Sequence, residues 1–280
     1  MADGPKLVSR GADPLRIDHA STGGMVGAAS STPSGASCDR CAVRGQGVCW
    51  RLSGKDFQRL FPFGTRIQAR HAGTALFHQG EAFDYVLIVR SGWVATYKVF
   101  EDGQRQIIRF ALPGDLVGFE GNAVSGMAYG AEAITDVTLC GIKRSLFFRV
   151  CAGSPQLAMS FASTLAREAL SAWNHVGALG QQGALGRVAN LLLDLHRRVV
   201  VREGSEGGAV HLPISQIHIG DATGLTSVHV CRTLKLMRQQ GLLDFRKERL
   251  ILLDPQRLAE IAQLDPEVTF EDQTPTFVVV

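Results

Sequence analysis

Three kinds of hydrophobic pattern follow one another along the chain. Residues 1–37 show no periodicity: Gly, Ser, Ala and Thr dominate, and too few apolar side chains are present to offset the entropy of ordering. A disordered tail is expected there. From Gly73 to about Arg144, short runs rich in Val, Ile, Leu, Phe and Tyr are cut by turn residues. Residues 74–78, 85–89, 93–99, 106–111 and 131–142 read as strands, separated by Gln79-Gly80, Ser91-Gly92, Asp102-Gly103 and Pro113-Gly114. Closely spaced strands with regular turns predict an antiparallel roll. From Pro155 the period becomes helical. Leu157, Phe161, Leu165, Ala169, Trp173 and Val176 recur at spacings of four and three, so residues 155–182 are expected to form one long helix that frays through Gly177, Gly180 and Gly183. Lying between two domains, that stripe is a candidate dimer seam.

The remainder is helical again over 184–201, 215–222 and 227–240, and a hairpin is expected over 242–253, with Arg246-Lys247-Glu248-Arg249 between two apolar arms. Residues 215–243 carry the grammar of a helix-turn-helix. Gly224 can supply a positive φ between two helices, Leu225 can plug the gap, and Thr226 can cap the second helix. On that helix Val230, Leu234 and Met237 form the face that packs inward, which leaves Ser227, Val228, His229, Arg232 and Lys235 on the outer face. N-terminal residues of a recognition helix reach base edges and later basic residues meet phosphates. Arg232 is the candidate for a bidentate contact to guanine; a phosphate contact is its alternative. His229 has no partner nearby that would make it catalytic. The chain thus divides into a tail (1–37), a β-roll preceded by a cysteine loop (38–154), a long helix (155–182), a winged helix-turn-helix (183–254) and a C-terminal tail (255–280).

At 280 residues both domains can bury a core, and no apolar run approaches a membrane span or a signal peptide, so a cytoplasmic protein with no membrane contact is expected. The formal net charge of +3 is too small to argue a nucleic-acid partner, although residues 183–254, with ten Lys/Arg and seven Asp/Glu, account for all of it. Six cysteines in a reducing compartment argue against a disulfide scaffold, and Cys38, Cys41 and Cys49 fall within twelve residues, as metal or cluster ligands do. An enzyme on the roll would have His71, His78 and Glu81 as its metal ligands, all close to one turn, and would leave the helix-turn-helix without a purpose.

Roll, long helix and winged helix-turn-helix in this order resemble the Crp/Fnr family of bacterial regulators. The resemblance rests on Arg90-Ser91-Gly92, on Gly114-Asp115-Leu116-Val117-Gly118-Phe119, on the long helix, and on Gly224-Leu225-Thr226 through Arg232. It implies an α+β chain: a cupin-like antiparallel β-roll of the cyclic-nucleotide-binding-domain fold, a dimerisation helix, and a DNA-binding domain that reads a near-palindromic operator as a homodimer. The cysteine spacing is similar to that of the oxygen-sensing Fnr branch in alphaproteobacteria. That likeness implies a [4Fe-4S] cluster on Cys38, Cys41, Cys49 and Cys140, controlling dimerisation. Zinc takes the same ligands, and the layout of a glycine-containing loop plus one distant strand cysteine favours a cluster over zinc. The cyclic-nucleotide branch needs a Glu and an Arg-Ser pair in its pocket; here Asp115 takes the first place and no arginine stands between Arg109 and Arg144, so cAMP is not the expected effector. Gly118, Phe119 and Glu120 match the roll loop that meets RNA polymerase in the family. Two departures stand out. Val228 and Cys231 occupy the places of the usual Glu and Ser, so the usual operator does not carry over. Cys231 reads as a small, partly buried packing residue, or alternatively as a redox thiol beside Arg232; Cys151 reads as packing. Another signal, such as heme, nitric oxide or a small ligand on the same fold, is the competing reading.

Overall fold

The computed structural model describes residues 38, 41–47, 49, 54–60, 66–120 and 126–264; the expected N-terminal tail and residues 265–280 lie outside this set. A short helix α1 (Gly54–Leu60) precedes eight strands: β1 (Arg66–Arg70), β2 (Ala75–Phe77), β3 (Tyr85–Ser91), β4 (Val94–Val99), β5 (Arg105–Ala111), β6 (Leu116–Val117), β7 (Gly130–Ala133) and β8 (Val137–Lys143). They pair antiparallel into two four-stranded sheets, ordered β1-β8-β3-β6 and β2-β7-β4-β5. This is the roll that the turn spacing predicts, with one difference. The run 131–142 is two strands, because Thr135 and Asp136 turn the chain from one sheet to the other. Their side chains accept from the backbone N–H groups of Trp93 (3.0 Å) and Ala72 (2.9 Å).

Alternation along the strands builds three cores at once. On β3, Leu87 and Val89 point into the roll interior with Phe77, Val117 and Leu139, while Val86 and Ile88 point out to a second cluster. That cluster is roofed by α2 (Arg144–Ala152) and the start of α3 (Pro155–Gln181). It contains Cys49, Cys140 and Cys151 beside Phe147 and Leu157. Strands buried on both faces read as continuous apolar runs, which is why the roll shows so little polar alternation.

Helix α3 continues through Gly177 and Gly180, and only Gln182 and Gly183 separate it from α4 (Ala184–Glu203). The DNA-binding domain follows with β9 (Ala209–His211), α5 (Gln216–Thr223), α6 (Ser227–Gln239), β10 (Leu243–Arg246), β11 (Arg249–Leu252) and α7 (Pro255–Ile261). The wing is a three-stranded sheet, β10-β11-β9, closed by a tight turn in which Lys247 and Glu248 both have positive φ. Residues 255–280 were expected as a tail, but α7 begins immediately: Pro255 takes the first turn, the Asp254 carboxylate accepts from the Arg257 N–H (2.9 Å), and Leu258 and Ala259 are buried. The third core joins the domains, since Trp93, Tyr97, Ile107 and Phe110 on the outer face of β4 and β5 share it with α4, α5, α6 and the wing.

The apolar stripe of α3 differs in register from the expected seam. Leu157 is fully buried against the chain's own roll, and Phe161 packs edge-on against Phe119 and Phe147. Leu165 and Ala169 border a cavity. Only Trp173 and Val176, at 68% and 65% exposure, remain on an open face. With them on that face lie Met159, Ala162 and Ala166, at heptad spacing.

Candidate functional site

The recognition helix is built from its first residue. Gly224 closes α5 in the left-handed region (φ 67°), and the Leu225 N–H donates to the Gly220 carbonyl (3.1 Å), which folds the turn back on α5. Thr226 then caps α6, its Oγ1 accepting from the His229 N–H (3.3 Å). Val230, Leu234 and Met237 are buried and fix the rotation of the helix. As a result Ser227, Val228, His229, Arg232 and Lys235 are all exposed on one side, and the wing adds exposed Arg246, Lys247 and Arg249. Such a surface can place a guanidinium fork and a few short side chains against base edges while flanking cations meet phosphates. Cys231 belongs to this exposed side as well, so its reading as a partly buried packing residue is corrected. It stands one residue, a third of a helical turn, beyond buried Val230.

Arginines set the helix-turn-helix against the roll. Arg105 on β5 donates to Asp221 of α5 (2.8 Å) and to Glu132 of β7 (2.5 Å), and the Gln106 amide donates to the Ala222 carbonyl (2.9 Å). At the other end of β5, buried Asp115 accepts from Arg198 (2.8 Å) and Arg202 (2.7 Å), both on α4. Burial alone would raise the Asp115 carboxyl; Arg202, Arg198 and Arg109 outweigh it and hold the group well below the usual carboxylate range. These joints were not legible in the sequence, where Arg198 and Arg202 look like solvated helix charges.

Cys38, Cys41 and Cys49, singled out by spacing, lie near Cys140, the fourth ligand that the resemblance implies. Cys140, on the central part of β8, is buried with Cys49 in the cluster beneath α2 and α3. The loop carrying the others is tied to itself: the Cys41 N–H donates to the Cys38 carbonyl (3.2 Å), and the Arg44 guanidinium donates to the Cys49 carbonyl. Burial first, then the nearby Cys140, Cys41 and Cys38, push the Cys49 thiol up to about 12. Burial, with Cys41 and Cys38, pushes Cys140 up to about 11. Among the described residues, no three His, Cys, Asp or Glu side chains are poised around a single metal ion. One zinc would draw its thiolates to about 3.8 Å of each other, as tetrahedral bonds near 2.3 Å require. His71, His78 and Glu81 do not converge either. His71 faces Asp136 (3.5 Å), and Glu81 accepts from the His78 backbone N–H (2.8 Å). Cys151 is buried in packing, as expected.

A model of the cyclic nucleotide-binding domain matches residues 68–154, and one of the Crp-like helix-turn-helix domain matches residues 186–261. The nitrogen fixation regulation protein FixK of Bradyrhizobium diazoefficiens is 32% identical over 230 residues, which is 82% of this chain and 95% of FixK. The chain belongs to the Crp/Fnr family. The transcriptional activatory protein AadR of Rhodopseudomonas palustris is also 32% identical, over 83% of this chain and 96% of AadR. The solved structure of FixK2 from Bradyrhizobium japonicum superposes with a TM-score of 0.64 at 33% identity, covering 70% of this chain and 96% of that one. Like its relatives, this Crp/Fnr protein is a DNA-binding transcription regulator. Among the described residues, no helix is long and apolar enough to cross a membrane.

Two further places carry expectations from the Crp/Fnr resemblance. In the segment expected to meet RNA polymerase, Gly118 is buried and Phe119 is half-buried against Phe161; only Glu120 is exposed, and its carboxylate accepts from the Tyr129 hydroxyl. Where a cyclic nucleotide would need a cation, Arg109 is committed to Glu168 of α3 (2.5 Å) and to the Leu116 carbonyl (2.6 Å). A cavity of about 370 Å³ lies between β5, α3 and α4. Arg109 Nε, Glu168 Oε1 and His175 Nε2, from residues that line it, are buried without a hydrogen-bond partner among the described residues.

Proposed function

We propose that the protein is an oxygen- or redox-responsive regulator in which Cys38, Cys41, Cys49 and Cys140 hold a [4Fe-4S] cluster and a homodimer binds the operator. The observation that carries this reading is the meeting of Cys49 with Cys140 in one apolar cluster, with Cys38 and Cys41 near enough to raise both thiols. The donor set fits, because four soft sulfurs suit iron. When bound, a cluster supplies a centre that oxygen takes apart. The chain's own part is positional. Cys140 anchors the site to the sheet, and Cys49 brings the loop down onto the roof formed by α2 and α3. The open heptad face of α3 then takes a second copy of itself, which sets the two α6 helices to enter successive major grooves. Arg232 reads a base edge, Lys235 and the wing cations meet phosphates, and Val228 removes the carboxylate that would accept from cytosine. Arg109, which a cyclic phosphate would need beside the cavity, is already held by Glu168 and the Leu116 carbonyl, which supports an effector other than cAMP.

Anaerobic purification tests the cluster. Iron and sulfide near four per chain in a brown protein, lost in air together with operator binding, are the expected result. A colourless chain with one zinc, or with no metal, defeats the reading. A second reading, a small effector in the cavity, is favoured by its three unpartnered polar atoms. Operator binding by a metal-free chain that rises on adding a small organic molecule would establish it in place of the first.

A further inference from the structure

Between the cysteine loop and the DNA-binding domain lies a continuous set of short contacts. Within the loop, the Arg44 N–H donates to the Cys41 carbonyl (3.0 Å) and the Gln46 N–H to the Val43 carbonyl (3.1 Å). The loop then leaves in two directions. The Gln46 side-chain amide donates to the Arg202 carbonyl near the end of α4 (3.1 Å). Gly47 lies flat on the turn before β6: a Cβ at Gly47 would stand 2.1 Å from the Gly114 carbonyl oxygen, so no side chain fits there. The next residue after Gly114 is Asp115, whose two carboxylate oxygens hold Arg198 and Arg202. Arg198 also donates to the Phe110 carbonyl (2.8 Å), and Arg202 to the Pro113 carbonyl (3.1 Å). Loop, turn and α4 therefore meet at one buried carboxylate.

We propose that Asp115 is the joint through which the cysteine loop sets the position of α4, and with it the helix-turn-helix, within its own chain. This rests on the cluster reading only for the nature of the signal; the mechanical coupling stands on the contacts. A buried carboxylate bound to two guanidinium groups has two discrete arrangements, paired or parted, because a parted one is left uncompensated. Movement of the loop displaces Gly114 and with it Asp115, and α4 must follow or lose both pairs. A cavity of about 300 Å³, bordered by Gln46, Gly47, Asp115, Arg198 and Arg202, gives the loop room to move. This route works in cis, alongside any effect on the dimer helix.

Hydrogen exchange of the full chain, read over the last two turns of α4, tests the joint. Gly47→Val, which pushes the loop off Gly114, is expected to speed exchange at residues 196–203 at least fivefold in the native background. In an Asp115→Asn chain the same change should add less than twofold, since the joint is already open. Equal increments in both backgrounds, or no increment in either, overturn the proposal. Arg202→Gln opens the joint from the α4 side, so an Asp115→Asn chain that fails to fold still leaves a decisive comparison. Iron content measured on the same anaerobic samples separates the two ideas. Iron near four per chain without coupling defeats the joint alone, whereas coupling in an iron-free chain defeats the cluster alone.

Discussion

Gly220 sits inside α5, where helix propensity by itself favours alanine by about 1 kcal/mol. Space decides otherwise. A Cβ at Gly220 would stand 2.5 Å from the Leu225 carbonyl oxygen, a backbone atom held in the turn by that residue's own hydrogen bond to Gly220. Overpacking costs roughly 1–3 kcal/mol, and here no flexible side chain can yield. Gly220→Ala is therefore expected to lower stability by about 2 kcal/mol, read as an earlier denaturant midpoint; an unchanged midpoint would show that the turn can open without cost. The contrast with Gly224 shows what a sequence tells. Gly224 is legible because a positive φ between two helices is a local demand. Gly220 is not, because its constraint comes from a residue folded back across the turn. Asp115 is a similar case: its place in the roll could be read, but the arginines that define it lie more than eighty positions away. Cys231 was misplaced for a smaller reason, since one step of a helix carries a side chain out of the buried arc.

Whole elements were legible where a period ran uninterrupted, as in α3, α4 and α6. They were lost where side-chain chemistry breaks a run, as at Thr135-Asp136, or where a cap was present but unread, as at Asp254-Pro255. Neither spacing nor composition shows how elements face one another, and the meeting of β5 with α3 is where this matters most. Glu168 on α3 pairs with Arg109 on β5. Burial pushes its carboxyl up to about 7 against the pull of Arg109, with Asp115 and Glu120 adding to the rise and Arg198 opposing it. The folded chain thus binds this proton more tightly than the unfolded one. The stabilisation is full below the ordinary Glu value near 4.3 and is lost as the pH rises through about 7. His175, His196 and His218, whose values burial lowers, lose stability in the opposite direction, as the pH falls below their ordinary 6.5. Between pH 6.5 and 8 the three histidines, still half protonated at 6.5 in the unfolded chain, gain stability and offset the Glu168 loss, so the Glu168 effect is read only as a difference between variants. The Glu168 part is on the order of 1 kcal/mol across that interval, and chemical denaturation is expected to show Glu168→Gln gaining stability from pH 6.5 to 8 more steeply than the native chain, by about that amount. A parallel slope in the variant would assign the loss to another group.

At the scale of the whole molecule, the open face of α3 decides what one chain is for. Met159, Ala162, Ala166, Ala169, Trp173 and Val176 recur at alternating three- and four-residue spacing, all exposed but half-buried Ala169, while Leu157 and Phe161 on the other side of the helix are spent on the chain's own roll. A face of this kind, in a helix about 40 Å long by its 1.5 Å rise per residue, is matched by a second copy packed in parallel register. Only that symmetry gives two α6 helices related by a two-fold axis, and a single recognition helix offers too few base contacts for operator affinity. Ala166→Glu probes the seam without touching the fold, because residue 166 is already exposed in one chain and glutamate is a good helix former. In a pair, two such carboxylates would face each other at the centre of the interface. The variant is expected to sediment as a monomer at concentrations where the native chain is a dimer, to keep its helical signal, and to bind a palindromic operator at least tenfold more weakly. Its affinity for a single half-site should be unchanged. A variant that stays dimeric would move the seam elsewhere, and one that loses half-site affinity as well would mean that α3 shapes the recognition helix directly.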